Sequence, residues 1–139
     1  MLELYIQQIE QQCPTEIIAE VRTVDLRQAS AGDLARKIAQ EAFYAKRYDC
    51  LAAYVGFMAY KINRQAPYEV MNGFFSAARR IHNSELRQAL IPAMKHAYQQ
   101  FDYSSRYTQG YFEVLGLYQL DLRQQFDPQF EDVKIEEEG

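Results

Sequence analysis

Cys50-Leu51-Ala52-Ala53-Tyr54-Val55-Gly56-Phe57-Met58-Ala59-Tyr60 runs eleven residues without a charged or amide side chain. Whatever folds around this stretch has to cover it. Strand alternation fails, because Tyr54, Val55, Phe57, Met58 and Tyr60 do not fall on one side. Helical spacing works: Leu51, Tyr54, Val55, Met58 and Ile62 step at i, i+3, i+4, i+7 and i+11. The remaining faces are apolar too, one with Cys50, Ala53, Phe57 and Tyr60. The other, Ala52, Gly56 and Ala59, is a small-residue strip that lets a neighbouring backbone come close. A helix apolar on every side lies in a core or a membrane. Eleven residues span only about 16 Å, short of the roughly 20 residues that a crossing needs. The spacing therefore predicts a buried central helix over about 49–63, capped by Asp49, with Lys61 and Arg64 at its negative end and Asn63 closing it.

The flanking segments read as its cover. Leu2, Tyr5, Ile6, Ile9 and Cys13 form a helical stripe ending before Pro14. In 16–26, Ile17 and Val21 fit a helix begun by Thr15, while the β-branched content also fits a strand; with no second strand to pair with, helix is favoured. Ser30-Ala31-Gly32-Asp33 offers a cap for a helix carrying Leu34, Ala35, Ile38, Ala42 and Phe43. Pro67 suits the first position of a helix with Val70, Met71, Phe74, Phe75, Ala78 and Ile81 inward and Ser76, Arg79 and Arg80 wet. Asn83 or Ser84 caps the next, with Leu86, Leu90, Ala93, Met94 and Ala97 inward. Pro92 lacks a backbone donor and clashes with the preceding turn, so a break between Ser84–Ile91 and 92–101, or a sharp kink, is expected. Asp102 to Ser105 reads as a turn. Tyr111, Leu115, Tyr118 and Leu122 mark a last helix, although Gly110, Gly116 and the alternation Tyr118, Leu120, Leu122 leave a strand open. The expectation is an all-α single domain over 1–126, a bundle of about six or seven helices, followed by an acidic tail at 127–139.

Ala42-Phe43-Tyr44, then Tyr48-Asp49, then Leu51-Ala52-Ala53-Tyr54 resembles the helix-turn-helix of tetratricopeptide repeats. The turn glycine is missing and no second copy follows at a fixed period. The resemblance implies one helical hairpin and no family.

Chemistry-bearing patterns are sparse. His82 and His96 stand on different helices without acids at metal-pair spacing, so no metal is expected. Cys13 and Cys50 make no disulfide framework, and Cys50 is expected to pack as a small hydrophobe. Ser104-Ser105 lacks a glycine-rich elbow, the six glycines never cluster, and carboxylates gather at the chain ends. Neither catalysis nor a cofactor is expected. The non-basic N-terminal stretch argues against a secretory signal, which makes a soluble cytoplasmic protein the expectation.

Charge is segregated. Residues 31–106 carry eleven Lys or Arg against six Asp or Glu, and from Asp127 onward six acids stand with Lys134 alone. Arg79, Arg80, Arg87 and Lys95 fall on successive segments as a candidate basic interaction surface, with Tyr98, Tyr103 and Tyr107 close behind. The acidic tail is a natural competitor for that surface. Three functions follow. The first is a non-catalytic module binding another protein, as adaptor, assembly factor or inhibitor. The second is a nucleic-acid-associated subunit using the basic strip; net charge −4 weighs against it. The third is a bundle holding an apolar ligand among Phe57, Met58, Phe74 and Phe75. A chain this short can leave the central helix partly bare, which makes a homodimer a further expectation.

Overall fold

The computed structural model describes residues 1–100 and 105–126, with side chains at 109–119 in the second stretch. Its helices are α1 (Leu2–Gln12), α2 (Thr15–Thr23), α3 (Ala29–Tyr44), α4 (Tyr48–Lys61), α5 (Tyr68–Arg79), α6 (Ser84–Gln100) and α7 (Ser105–Phe126). Among the described residues there is no strand: 118–122 is helical, and of 16–26 the part up to Thr23 is helix, with Val24 in extended backbone and Leu26 in a turn. No described helix is long and apolar enough to cross a membrane. Of the expected turn at 102–105, residues 102–104 lie outside the described residues and Ser105 instead opens α7; the tail at 127–139 lies outside the described residues.

The central helix is where the sequence puts it. Every residue from Cys50 to Ala59 is buried, and α1, α3, α5 and α6 all pack on α4. One copy of the chain covers it. At roughly 1.5–3 kcal/mol for each fully buried Leu, Phe or Met, Leu51, Phe57 and Met58 far outweigh the helix cost of Gly56, about 1 kcal/mol.

Gly56 is used by a side chain, not a backbone: a Cβ there would overlap the Tyr5 ring of α1. Tyr5 also stacks on Tyr60, with centroids 5.7 Å apart. At the other end of the same pair Cys13 and Cys50 are joined by a disulfide, with Cα atoms 4.9 Å apart. That corrects the reading of Cys50 as a simple hydrophobe. The two cysteines are 37 residues apart, and it is the antiparallel docking of α1 on α4 that brings them together.

The closest backbone approach is between α3 and α5. A Cβ on Gly32 would overlap the Glu69 carbonyl, and one on Gly73 would stand 2.6 Å from the Gly32 oxygen. The pairs Gly32–Glu69 and Ala35–Gly73 advance together, so the two helices run parallel. From α7, Tyr118 donates its hydroxyl to the Ala78 carbonyl at 2.8 Å, and the Tyr111 hydroxyl accepts from the Tyr98 N–H at 2.9 Å.

Several local expectations are corrected. α4 begins one residue before Asp49, with Arg47 at the N-cap, and Ile62 rather than Asn63 follows its end. α3 begins at Ala29 behind Gln28, without a side-chain cap from Ser30. Pro67 is the N-cap of α5 rather than its first residue. Asn83 does cap α6, accepting from the Leu86 N–H at 2.9 Å. Ser76 is buried instead of wet. Of the two outcomes expected at Pro92, the split does not occur: α6 is one helix through it, because Ala93, Met94 and Ala97 bury its second half across the missing donor.

Candidate interaction surface

The four basic residues singled out in the sequence are treated differently by the fold. Arg87 is buried, 6% exposed; its Nε donates to the Ile81 carbonyl and its guanidinium lies 5.8 Å from the Tyr118 ring centroid. Arg79 pairs with Glu113 of α7 at 2.9 Å, its side chain 18% exposed. Arg80 turns back on its own helix and donates to the Ser76 carbonyl and hydroxyl. Only Lys95 is fully on the surface. The four therefore do not line up as one exposed strip; two of them tie α5, α6 and α7 together.

A different surface forms at the α3–α4 corner. Helix α3 ends in paired bonds, the Arg47 N–H to the Ala42 carbonyl at 2.8 Å and the Lys46 N–H to the Phe43 carbonyl at 3.2 Å. This is the helix-ending arrangement in which a left-handed residue, usually glycine, reverses the chain. Here Lys46 takes that place with φ 56°, the one non-glycine residue at positive φ among the described residues. A side chain in this region costs roughly 1–2 kcal/mol. Such strain is worth reading as a pointer to function.

Around Lys46 stand four rings from three parts of the chain. Phe43 and Tyr44 close α3, Tyr48 opens α4, and His82 comes from the α5–α6 connection. Phe43 lies 5.6 Å from Tyr44 and 5.2 Å from His82, and Tyr48 lies 6.0 Å from His82. Tyr44 is 70% exposed, more than any other described large hydrophobic residue. Lys46 and Arg47 are exposed beside it, and neither joins an ion pair among the described residues. Exposed Glu41 and Asp49 flank the same turn, so the corner is mixed in charge rather than basic. The signal in the sequence was the adjacent Phe43-Tyr44. Neighbours on a helix point about 100° apart, so both cannot face one core.

Elsewhere the chemistry is quiet. No group of His, Cys, Asp or Glu among the described residues is arranged to hold a metal. Burial pushes the Tyr54 and Tyr111 hydroxyls far above the ordinary tyrosine range, with Glu20 adding to the effect at Tyr54. The Tyr54 hydroxyl is sealed in the core with no hydrogen-bond partner among the described residues. Asp25 is held below the usual carboxylate range by its bonds from Arg27. Three described clefts open at the surface. One of about 200 Å³ between α5 and α7 includes Phe75 and Arg79; none is lined by Phe57, Met58 or Phe74. Compared with protein-family models, curated proteins and solved structures, the chain matches none.

Proposed function

We propose that this chain is a non-catalytic protein-interaction module, cytoplasmic as the sequence suggests, that docks a partner through the α3–α4 corner. The observation that supports this most is Tyr44, an aromatic ring 70% exposed beside a lysine in left-handed backbone. Tyrosine and arginine, here Tyr44 and the exposed Arg47, are among the side chains that most often anchor protein interfaces. Phe43, Tyr48 and His82 stiffen the anchor, so little side-chain entropy is lost on binding. Lys46 and Arg47 suit carboxylates on the partner, and Glu41 and Asp49 suit its basic groups.

Co-purification of the wild-type chain and of Tyr44→Ala tests this. The expected result is one partner held by the wild type at low salt and lost by the variant, with identical melting curves. Retention by neither form, or equally by both, would overturn the proposal.

The same rings beside cations are also a stacking platform for single-stranded nucleic acid. The balance of Lys46 and Arg47 against Glu41 and Asp49 favours a protein, since phosphate contacts need a net positive surface. A salt series with labelled oligonucleotides separates the two, because phosphate binding falls steeply with salt. For an apolar ligand among Phe57, Met58, Phe74 and Phe75, the fold offers four buried side chains and no described cleft that they share. The case for a homodimer built on a half-bare central helix loses its ground, since one copy buries Cys50 to Ala59.

A further inference from the structure

The attachment of α1 stands apart from the rest of the bundle. α1 packs chiefly on α4, with a lesser contact to α2, and it contributes two buried side chains, Tyr5 and Ile9. A helix of eleven residues does not persist alone in water. Its hold on the bundle is this one face plus the bond between Cys13 and Cys50. Beneath it lies Gly56, which receives the Tyr5 ring, and the buried Ala52 and Ala59 stand about one turn away on either side of Gly56 in α4.

The two sulfurs are placed unequally. Cys13 follows the last residue of α1 and is partly exposed, whereas Cys50 is buried as the third residue of α4. A nucleophile therefore reaches Cys13, and Cys50 is the leaving group. The first turn of a helix stabilises a thiolate, which eases that departure.

We propose that the Cys13–Cys50 bond is a reversible redox latch on α1: a dithiol reductant opens it and uncovers the small-residue face of α4. One thiolate of the reductant attacks Cys13 Sγ, the S–S bond breaks, and Cys50 leaves as a thiolate that takes up a proton. The second thiol of the reductant, losing its proton, displaces Cys13. Two electrons pass to the protein, which gains two thiols, and the reductant becomes a disulfide. Opening a link across a loop this long lowers the docking constant of α1 on the order of a hundredfold or more. In a compartment kept reducing by thiols such a bond is transient, and that is where a latch operates.

Hydrogen exchange followed by mass spectrometry on the full chain tests the latch without reference to any partner. The bond is opened with millimolar dithiothreitol and re-formed with an oxidised dithiol. The latch predicts that amides of α1 lose protection by about a hundredfold or more on reduction and regain it on oxidation. Helices α3 and α5 keep theirs. Cys13→Ser, with no reductant, should behave as the reduced chain does. Unchanged protection of α1 would overturn the proposal. So would loss of protection in all helices together, the mark of a structural staple, or a bond that resists the dithiol in the native state.

Discussion

Replacing Gly32 by alanine tests the packing of the whole bundle, because two effects of known sign oppose each other there. Alanine favours a helix over glycine by about 1 kcal/mol. Against that, the added methyl would occupy space held by the Glu69 carbonyl of α5, with the Val70 nitrogen at 2.8 Å. These are backbone atoms inside a helix and cannot swing aside, so α3 and α5 have to separate. Overpacking of this kind costs roughly 1–3 kcal/mol, occasionally more. Parting the pair also loosens Ala35 against Gly73, a Cβ on which would now stand 3.1 Å from the Ala35 methyl. An overlap with rigid backbone stands in the upper part of the overpacking range, about 2–3 kcal/mol. After the helix gain of about 1 kcal/mol, the net expectation for Gly32→Ala is a loss of about 1–2 kcal/mol. Gly116 on α7 supplies the control: no described atom lies within 4 Å of a Cβ there, so Gly116→Ala should gain about 0.5–1 kcal/mol. Urea unfolding of both variants beside the wild type measures the gap of roughly 1.5–3 kcal/mol. A Gly32→Ala protein as stable as the wild type, or more so, would refute the close crossing of α3 and α5.

Further outcomes follow from single residues. Tyr54→Phe removes a buried hydroxyl that has no partner among the described residues, so urea titration should show a gain of about 1–2 kcal/mol. Tyr54 and Tyr111 have folded-state values raised by burial, so the unfolded chain ionises first. Stability is then fully present below about pH 10 and falls above it by roughly 1.4 kcal/mol per pH unit for each tyrosine. Thermal melts between pH 9 and 11.5 check the slope, which Tyr54→Phe should reduce. Arg87→Ala should cost about 1–3 kcal/mol by orphaning the Ile81 carbonyl, while Lys95→Ala stays within about 0.5 kcal/mol; calorimetry of both decides it. Lys46→Gly should raise stability by about 1 kcal/mol by relieving the left-handed turn, and equal or lower stability on denaturation would remove the strain argument.

The core helix was legible in the sequence because nothing in Cys50–Tyr60 is polar enough to face water along its length, and burial is the outcome that the chemistry allows. Arg87 was legible and yet misread. It shares a face with Leu90, Met94 and Ala97, which the periodicity places inward, but its charge suggested a wet position. The Ile81 carbonyl and the Tyr118 ring that satisfy it come from other segments, and no local pattern announces them. The same holds for Cys13 and Cys50, whose pairing depends on how α1 lies on α4. Pro92 shows the converse, since a strong local rule for a break was overridden by tertiary packing on both sides of it. At the α3–α4 corner the missing turn glycine was visible, but the rings that gather there come from three separate stretches.

The position of α4 in the middle of the chain has a consequence for biosynthesis. When Lys61 has left the ribosome, only α1 to α3 exist to shield the helix, and about 40 residues must follow before α6 can close over it. At roughly 5–20 residues per second, that interval lasts about 2–8 s. For that time the nascent chain presents one greasy flank of α4 to the crowded surroundings, which makes it a client for chaperones that grip apolar helices before the bundle is complete.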